Sequence, residues 1–352
     1  MTLSKHLPPR PKRAVPGSSE SAGHNRQKGA VREDGLAARM AYLSSARVAA
    51  KATKLSRKAC KLSDLSAVIR GTEPAGDEVA FLHSAFCKVG LPRSKPEGDA
   101  FERQSGSAAI RLEAGELWNG ETYIKPGLPY GTKPRLLLLH LIRSYLRTDN
   151  RTIILGGSMR DFLTNELFVD ASGGANGGMT AVKQHALALA ACRLTIGYML
   201  PTEARKAKQT NRWISAFDVR PEEDAVHGRG IPWLGSITLT QEFAASIRES
   251  AVPLDARALR GIQDSALSLD IYAWLAQRLH RLERPTTLYW VNARHQFAQE
   301  YSNNKAFKRN FAKSLKDVLT VYPQAKVERV FGGFKLIPSP PPVPPKVLTH
   351  FI

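Results

Sequence analysis

Apolar and polar positions are most informatively ordered between Ser265 and Pro338. A long amphipathic helix pattern from Ser265 is followed by a short apolar strand (Thr286 to Trp290), a short helix, a basic helix from Lys305 to Tyr322, and two strands within Lys326 to Ile337. Placing the basic helix on a wheel at about 100° per residue separates its residues. With Phe307 at zero, Phe311, Leu315, Val318, Leu319 and Tyr322 fall within roughly 0–120°, while Lys305, Arg309, Lys313 and Lys316 fall within roughly 160–240°. One face is suited to a core and the opposite face to an anion. An ion-pair-laced surface helix would carry carboxylates four residues before its bases, yet Asp317 is the only acidic residue in this helix. Pro323 ends it, and Gly332-Gly333 is read as supplying the positive φ that a two-residue hairpin requires. Helix, strand, short helix, basic helix and hairpin is the order of a winged helix-turn-helix.

A similar order appears upstream. Ala108 to Leu112 reads as a strand and Lys125 to Gly131 as a turn-rich crossing. Thr132 is placed as the cap of a helix whose run Leu136 to Leu146 is apolar on nearly all sides. Thr152 to Leu155 is a β-branched strand, Ser158 caps a short helix to Leu167, and a Gly-rich loop at 173–178 leads into a helix from Met179 to about Cys192. Leu194 to Leu200, Trp213 to Val219 and Ser236 to Leu239 complete the strands, and Glu78 to Val89 is read as a short helix. The predicted fold class is α+β: two tandem winged-helix domains preceded by a basic, largely disordered arm. The boundaries are 1–75 for the arm, disordered or partly helical, with Leu36 to Arg70 of a composition that supports a helix, 76–235 for the first winged-helix-like domain, 236–340 for the C-terminal one, and 341–352 for a Pro-rich tail.

Charge narrows the partners. The chain has 352 residues with a formal net charge of +20, and residues 1–75 hold fifteen Lys/Arg against five Asp/Glu, half of that excess. Such a molecule is drawn to polyanions. A membrane-spanning helix is not expected, because the strongest apolar run, Leu136 to Ile142, is short and contains His140. Basic residues near the N-terminus have no apolar segment behind them, so no secretory signal is read. Cys60, Cys87 and Cys192 are odd in number and widely spaced, as expected for a reduced, cytoplasmic protein with neither a disulfide frame nor a zinc site.

The chemistry-bearing motifs thin out on inspection. Gly127-Leu-Pro-Tyr-Gly-Thr-Lys133 is one residue short of a phosphate loop and has its Thr before its Lys. The His residues lack metal-ligand spacing, the carboxylates are too dispersed for a two-metal site, and Tyr272 and Tyr322 lie on apolar faces, which disfavours a nicking enzyme. The expectation is a binding protein with no enzymatic activity, cofactor or metal. The residues placed on double-stranded DNA are Arg294, Lys305, Lys308, Arg309, Asn310, Lys313, Lys316, Arg329 and Lys335. Lys133, Arg135, Lys183, Gln184 and Arg193 are weaker candidates; the last three belong to or follow a helix, beginning at Met179, that is dominated by Ala, Leu and Met.

From about Ala108 to Pro342 the chain resembles the RepA-type plasmid replication initiators. The resemblance is carried by Gly127-Leu-Pro-Tyr-Gly-Thr-Lys-Pro-Arg-Leu-Leu-Leu-Leu139, Val252-Pro-Leu-Asp255, Ser268-Leu-Asp-Ile-Tyr-Ala-Trp-Leu275, Trp290, Gln296-Phe297, Tyr301, Phe307-Lys-Arg-Asn-Phe311 and Val321-Tyr-Pro323, in this order and spacing. It implies a bacterial, plasmid- or nucleoid-associated protein that binds origin repeats and helps open the strands. It further implies a homodimer and recruitment of the host replication initiator and replicative helicase. A winged-helix transcriptional regulator without a replication role is the alternative, since the same chemistry serves both.

Overall fold

A computed structural model describes residues 57–106, 108–118, 121–155, 164–165, 178–199, 207–210, 213–220, 233–298 and 300–350. Residues 1–59 and 60–352 divide into separate units. The first is described only at 57–59, where the backbone is helical. The helices and strands run in the order α1 (57–71), β1 (Val79–His83), α2 (Ser84–Lys88), β2 (Ala100–Ser105), β3 (Ala108–Glu113), β4 (Leu117–Trp118), β5 (Tyr123–Ile124), α3 (Thr132–Thr148), β6 (Thr152–Ile154) and α4 (Gly178–Ala191). They continue with β7 (Arg193–Met199), β8 (Ala207–Thr210), β9 (Ile214–Arg220), β10 (Trp233–Leu239), α5 (Gln241–Ser250), β11 (Ala251–Asp255), α6 (Ala256–Ile262) and α7 (Ala266–Arg278). The C-terminal elements are β12 (Thr286–Tyr289), α8 (Trp290–Phe297), α9 (Asn304–Val321), β13 (Lys326–Val330) and β14 (Gly333–Ile337). The fold is mixed α+β. The short helix read from Ser158 to Leu167 and the loop at 173–178 fall almost wholly outside the described residues.

Two three-stranded sheets repeat one connectivity. β6 pairs with β10 and β10 with β9; β12 pairs with β14 and β14 with β13, all antiparallel. In each case the strand after a buried helix pairs with the second strand of a later hairpin. A four-stranded sheet has the order β2-β3-β7-β8, and β4-β5 is a small separate hairpin.

Helix α3 forms because seven successive residues, Leu136 to Ile142, are all buried, His140 included. Its N-cap is Gly131 at φ 79°, not Thr132, which starts the helix. Helix α7, read as amphipathic, is instead buried without interruption from Leu267 to Gln277, because it packs against α9 on one side and against α2, α3 and β11 on others. Ser265 caps it, accepting from the Ser268 N–H at 3.1 Å. The helix expected over Glu78–Val89 is a strand followed by a single helical turn. β1 pairs with β11 from Val79↔Asp255 to His83↔Ala251, a partner about 170 residues away that local periodicity cannot reveal.

Both ends of the described chain are packed. From Cys60 onward α1 belongs to the folded unit, with Leu62, Ser66 and Ile69 buried. Gly261 makes room for it: a Cβ there would meet Leu65 Cδ2 at 2.7 Å and Leu62 Cδ2 at 3.0 Å. Asp255 caps α6 and holds the Arg257 guanidinium at 2.8 Å, and that guanidinium donates to Thr72 Oγ1 at 2.9 Å just past the end of α1. Beyond β14, the Tyr322 hydroxyl donates to the Pro340 carbonyl at 2.7 Å, Val343 is buried, and Lys346 meets Glu73 at 2.7 Å.

Candidate nucleic-acid interface

Helix α9 is built as its periodicity dictates. Asn303 caps it, its side-chain oxygen accepting from the N–H groups of Lys305 (2.8 Å) and Ala306 (3.3 Å). Phe307, Phe311, Leu315, Val318, Val321 and Tyr322 are buried, whereas Lys305, Lys308, Arg309, Lys313 and Lys316 are exposed and Asn310 is half-buried. The buried face is aromatic. Phe311 has ring neighbours Trp290 (5.8 Å), Phe297 (5.4 Å), Phe307 (5.6 Å) and Phe334 (5.6 Å). The core thus joins α8, α9 and β14.

The exposed face is a row of spare charge. Among the described residues the side chains of Lys305, Arg309, Lys313 and Lys316 make no hydrogen bond or ion pair. Lys308 differs, because its ammonium lies 5.5 Å from the centroid of the Trp290 ring, a cation–π contact that leaves the charge at the surface. Arg294 is spent internally, donating to Asn304 Oδ1 at 2.9 Å and to the Tyr301 carbonyl at 3.3 Å, so it braces the α8–α9 turn. Arg329 is exposed on β13 and Lys335 half-buried on β14.

The hairpin turn sits one residue earlier than the Gly-Gly pair suggests. Val330 pairs with Gly333, leaving Phe331 and Gly332 as the loop, and only Gly332, at φ 79°, has a positive φ there. This is the sign pattern of a type II turn. Gly333 is glycine for a different reason: a Cβ there would stand 2.1 Å from the Leu288 carbonyl oxygen of the adjacent strand β12.

A cleft of about 670 Å³ joins α9 to the hairpin. Lys316 and Thr320 of α9, Arg329 of β13, and Ser63, Ser66 and Arg70 of α1 line it. The sequence supports a helix within Leu36 to Arg70 but assigns it to the arm; what it missed is that α1 packs into the folded unit and lines this cleft. The signal for that packing was the spacing of Leu62, Leu65, Ser66 and Ile69, which places three apolar residues and a small one on one helical stripe.

A polar cluster fixes α8 and the following loop from below. The Glu300 carboxylate accepts from the backbone N–H groups of Arg93 and Ser94 (2.9 and 3.0 Å) and from the Arg103 guanidinium at 2.5 Å. Burial alone would raise its pKa, but these N–H groups and the Arg93 and Arg103 charges hold it below the ordinary carboxylate range. Gln296 donates to the Lys88 carbonyl and accepts from Ser105.

The weaker candidates of the first half are placed differently from α9. Arg135 is buried and makes a bidentate pair with Asp270 (2.7 and 2.9 Å), with further donations to the carbonyls of Leu91 (2.6 Å), Pro92 (3.0 Å) and Gly131 (2.5 Å). Lys183 is buried within α4 and Lys133 is half-buried. Gln184 is exposed, and Arg193, also exposed, lies 3.9 Å from Glu113. Burial, with the nearby Lys133, depresses the pKa of His185 to about 4, so that ring adds no charge to α4 near neutral pH. Among the described residues no helix is long and apolar enough to cross a membrane, and no group of three His, Cys, Asp or Glu is placed to hold a metal ion.

No curated protein matches the chain. Among solved structures, two crystal structures of domains 2 and 3 of RctB align with the chain. One is 12% identical, covering 72% of this chain and 96% of that one with a TM-score of 0.47. The other is 11% identical, covering 69% and 83% with a TM-score of 0.43. The family model described as plasmid-encoded RepA protein matches residues 128–291, from the residue after Gly127 to the first turn of α8. Residues 128–291, which include the Val252–Asp255 and Ser268–Leu275 motifs, are thus similar to the plasmid-encoded RepA proteins.

Proposed function

We propose that the protein is a plasmid replication initiator that binds double-stranded DNA at origin repeats through two winged-helix modules, α3–β6–α4–β9–β10 and α7–β12–α8–α9–β13–β14. The observation that carries this reading is the unpaired cationic face of α9 opposite an aromatic core face, with a hairpin beside it. In this arrangement α9 lies in a major groove. Arg309, Lys313 and Asn310 face base edges, Lys305 and Lys316 face phosphates, and Arg329 and Lys335 bring the wing to the next phosphate. Lys308 reaches the backbone from its seat over Trp290, and Arg294 acts by holding the α8–α9 turn. Arg135 serves the fold, and α4, with Lys183 buried, is better suited to a partner or dimer surface than to phosphates. Origin opening and recruitment of a host initiator and helicase belong to the same proposal.

Footprinting on DNA flanking the gene, followed by gel-shift titration, tests it. Arg309→Ala and Lys313→Ala should each weaken binding to the protected repeat by about 1–3 kcal/mol if they contact bases. Unchanged affinity for both variants would remove α9 from the groove. Tandem protected repeats point to an initiator and a single palindrome to a repressor. Maintenance of a replicon carrying only the cognate origin, with the protein supplied in trans, separates the two roles directly.

The basic segment before α1 should add sequence-independent affinity through counterion release. Because Leu62 and Ile69 are part of the core, the informative deletion removes residues 1–56 and leaves α1 intact. Its log K should fall less steeply with log salt than that of the full chain, read from titrations at several salt concentrations. An unchanged slope would assign that segment another role.

A further inference from the structure

The tip of the β13–β14 hairpin presents a side chain that phosphate contact does not use. Phe331 is the first residue of the two-residue turn and stands fully in solvent, with no ring contact among the described residues. Tyr289 and Val291, where β12 meets α8, are also largely exposed. Folding gains nothing from an apolar ring held in water. The turn that carries the ring is nonetheless fixed: the Gly332 carbonyl accepts from the Trp290 N–H at 2.9 Å, and β14 is paired on both sides, with β12 and β13. The ring therefore projects from a braced support.

The surroundings of the ring select the partner. Lys326, Arg329 and Lys335 on the hairpin outnumber its one acid, Glu328, which stands opposite Lys335 in the strand register. Arg329 also shares the cleft with Lys316 and Arg70, so positive charge runs from the α9 face to the hairpin. The centre of a protein–protein interface is depleted of charge. An aromatic ring between cations is instead the composition of a wedge, in which the cations hold phosphates while the ring enters the base stack.

We infer that Phe331 inserts between stacked base pairs of double-stranded DNA from the minor groove while α9 occupies the adjacent major groove, unstacking one step. This rests on the placement of α9 under the proposed function. Pyrimidine–purine steps open most easily, so the wedge would select such a step without reading its hydrogen bonds. Protein-driven unstacking at the repeat would bias the duplex toward opening.

The test uses the full chain and a duplex carrying the footprinted repeat, with 2-aminopurine replacing adenines one at a time. Wild type should raise the fluorescence at one step. Phe331→Leu should keep that rise, and Phe331→Ala should lose it while still protecting the repeat. Because Phe331 packs against nothing in the core, both variants should unfold at the wild-type denaturant midpoint. An equal rise with Phe331→Ala, or no rise with wild type, overturns the wedge. So does a Phe331→Ala protein whose DNA behaviour is unchanged but whose self-association in sedimentation is lost, since the ring would then be a protein contact. If Arg309→Ala and Lys313→Ala bind normally, the placement of α9 fails first and the wedge with it; if only the fluorescence rise is absent, α9 stands and the wedge alone falls.

Discussion

Asp270→Ala should destabilise the folded unit by about 3–5 kcal/mol, the range found when one partner of a buried ion pair is removed. Asp270 lies on the buried helix α7 and accepts both Nε and Nη2 of Arg135, with Arg93 Nη1 3.8 Å away. The remaining Arg135 donors already serve carbonyls of Leu91, Pro92 and Gly131, so the guanidinium has no route to water when its carboxylate is lost. The surroundings are closed as well: a Cβ on Gly90 would come within 2.7 Å of Asp270 Oδ2. Urea unfolding followed by circular dichroism measures the loss. Replacing both partners, as Arg135→Met with Asp270→Leu, should recover part of it, because an apolar pair of similar volume carries no desolvated charge. A single variant within about 1 kcal/mol of wild type would mean that water reaches the guanidinium.

Phe311→Ala should be of similar size, about 3–5 kcal/mol, for a reason that involves no charge. Phe311 is 1% exposed, and the rings of Trp290, Phe297, Phe307 and Phe334 surround it within 6 Å. Truncation opens a cavity where α8, α9 and β14 meet, and these elements carry most of the proposed DNA surface, with Arg329 on the paired strand β13. Phe311→Leu should restore most of the stability, since it refills the space with apolar volume. Origin affinity should follow stability in this pair, being lost for Ala near its unfolding midpoint and retained for Leu. Were Phe311→Ala to unfold at the wild-type midpoint, the aromatic cluster would not be what seats α9.

Legibility in the sequence followed the range of the interaction concerned. The division of α9 into two faces was readable because a helix repeats every 3.6 residues and its buried residues are neighbours along one stripe. The start of α7 at Ser265 and the strands at Ala108, Thr152 and Thr286 were readable for similar local reasons. The strand β1 was read as helix because its partner β11 is remote in sequence. The turn was read one residue late because two adjacent glycines look alike, although Gly332 supplies a positive φ and Gly333 admits the Leu288 carbonyl. Helix α7 was read as amphipathic because its polar residues, Ser268, Asp270 and Gln277, find places inside the fold.

By itself, the sequence determined that a basic helix with an apolar back lies before a hairpin, and that the chain carries RepA-like motifs in order. Only the tertiary structure decided which cations are spare. Arg135, Arg294, Arg309 and Lys313 are equivalent as letters, but Arg135 closes on a carboxylate 135 residues away and Arg294 on its own turn, while Arg309 and Lys313 keep their charges in water. A buried guanidinium must be paired and an exposed one need not be, so the cations left for a polyanion are those that folding does not consume.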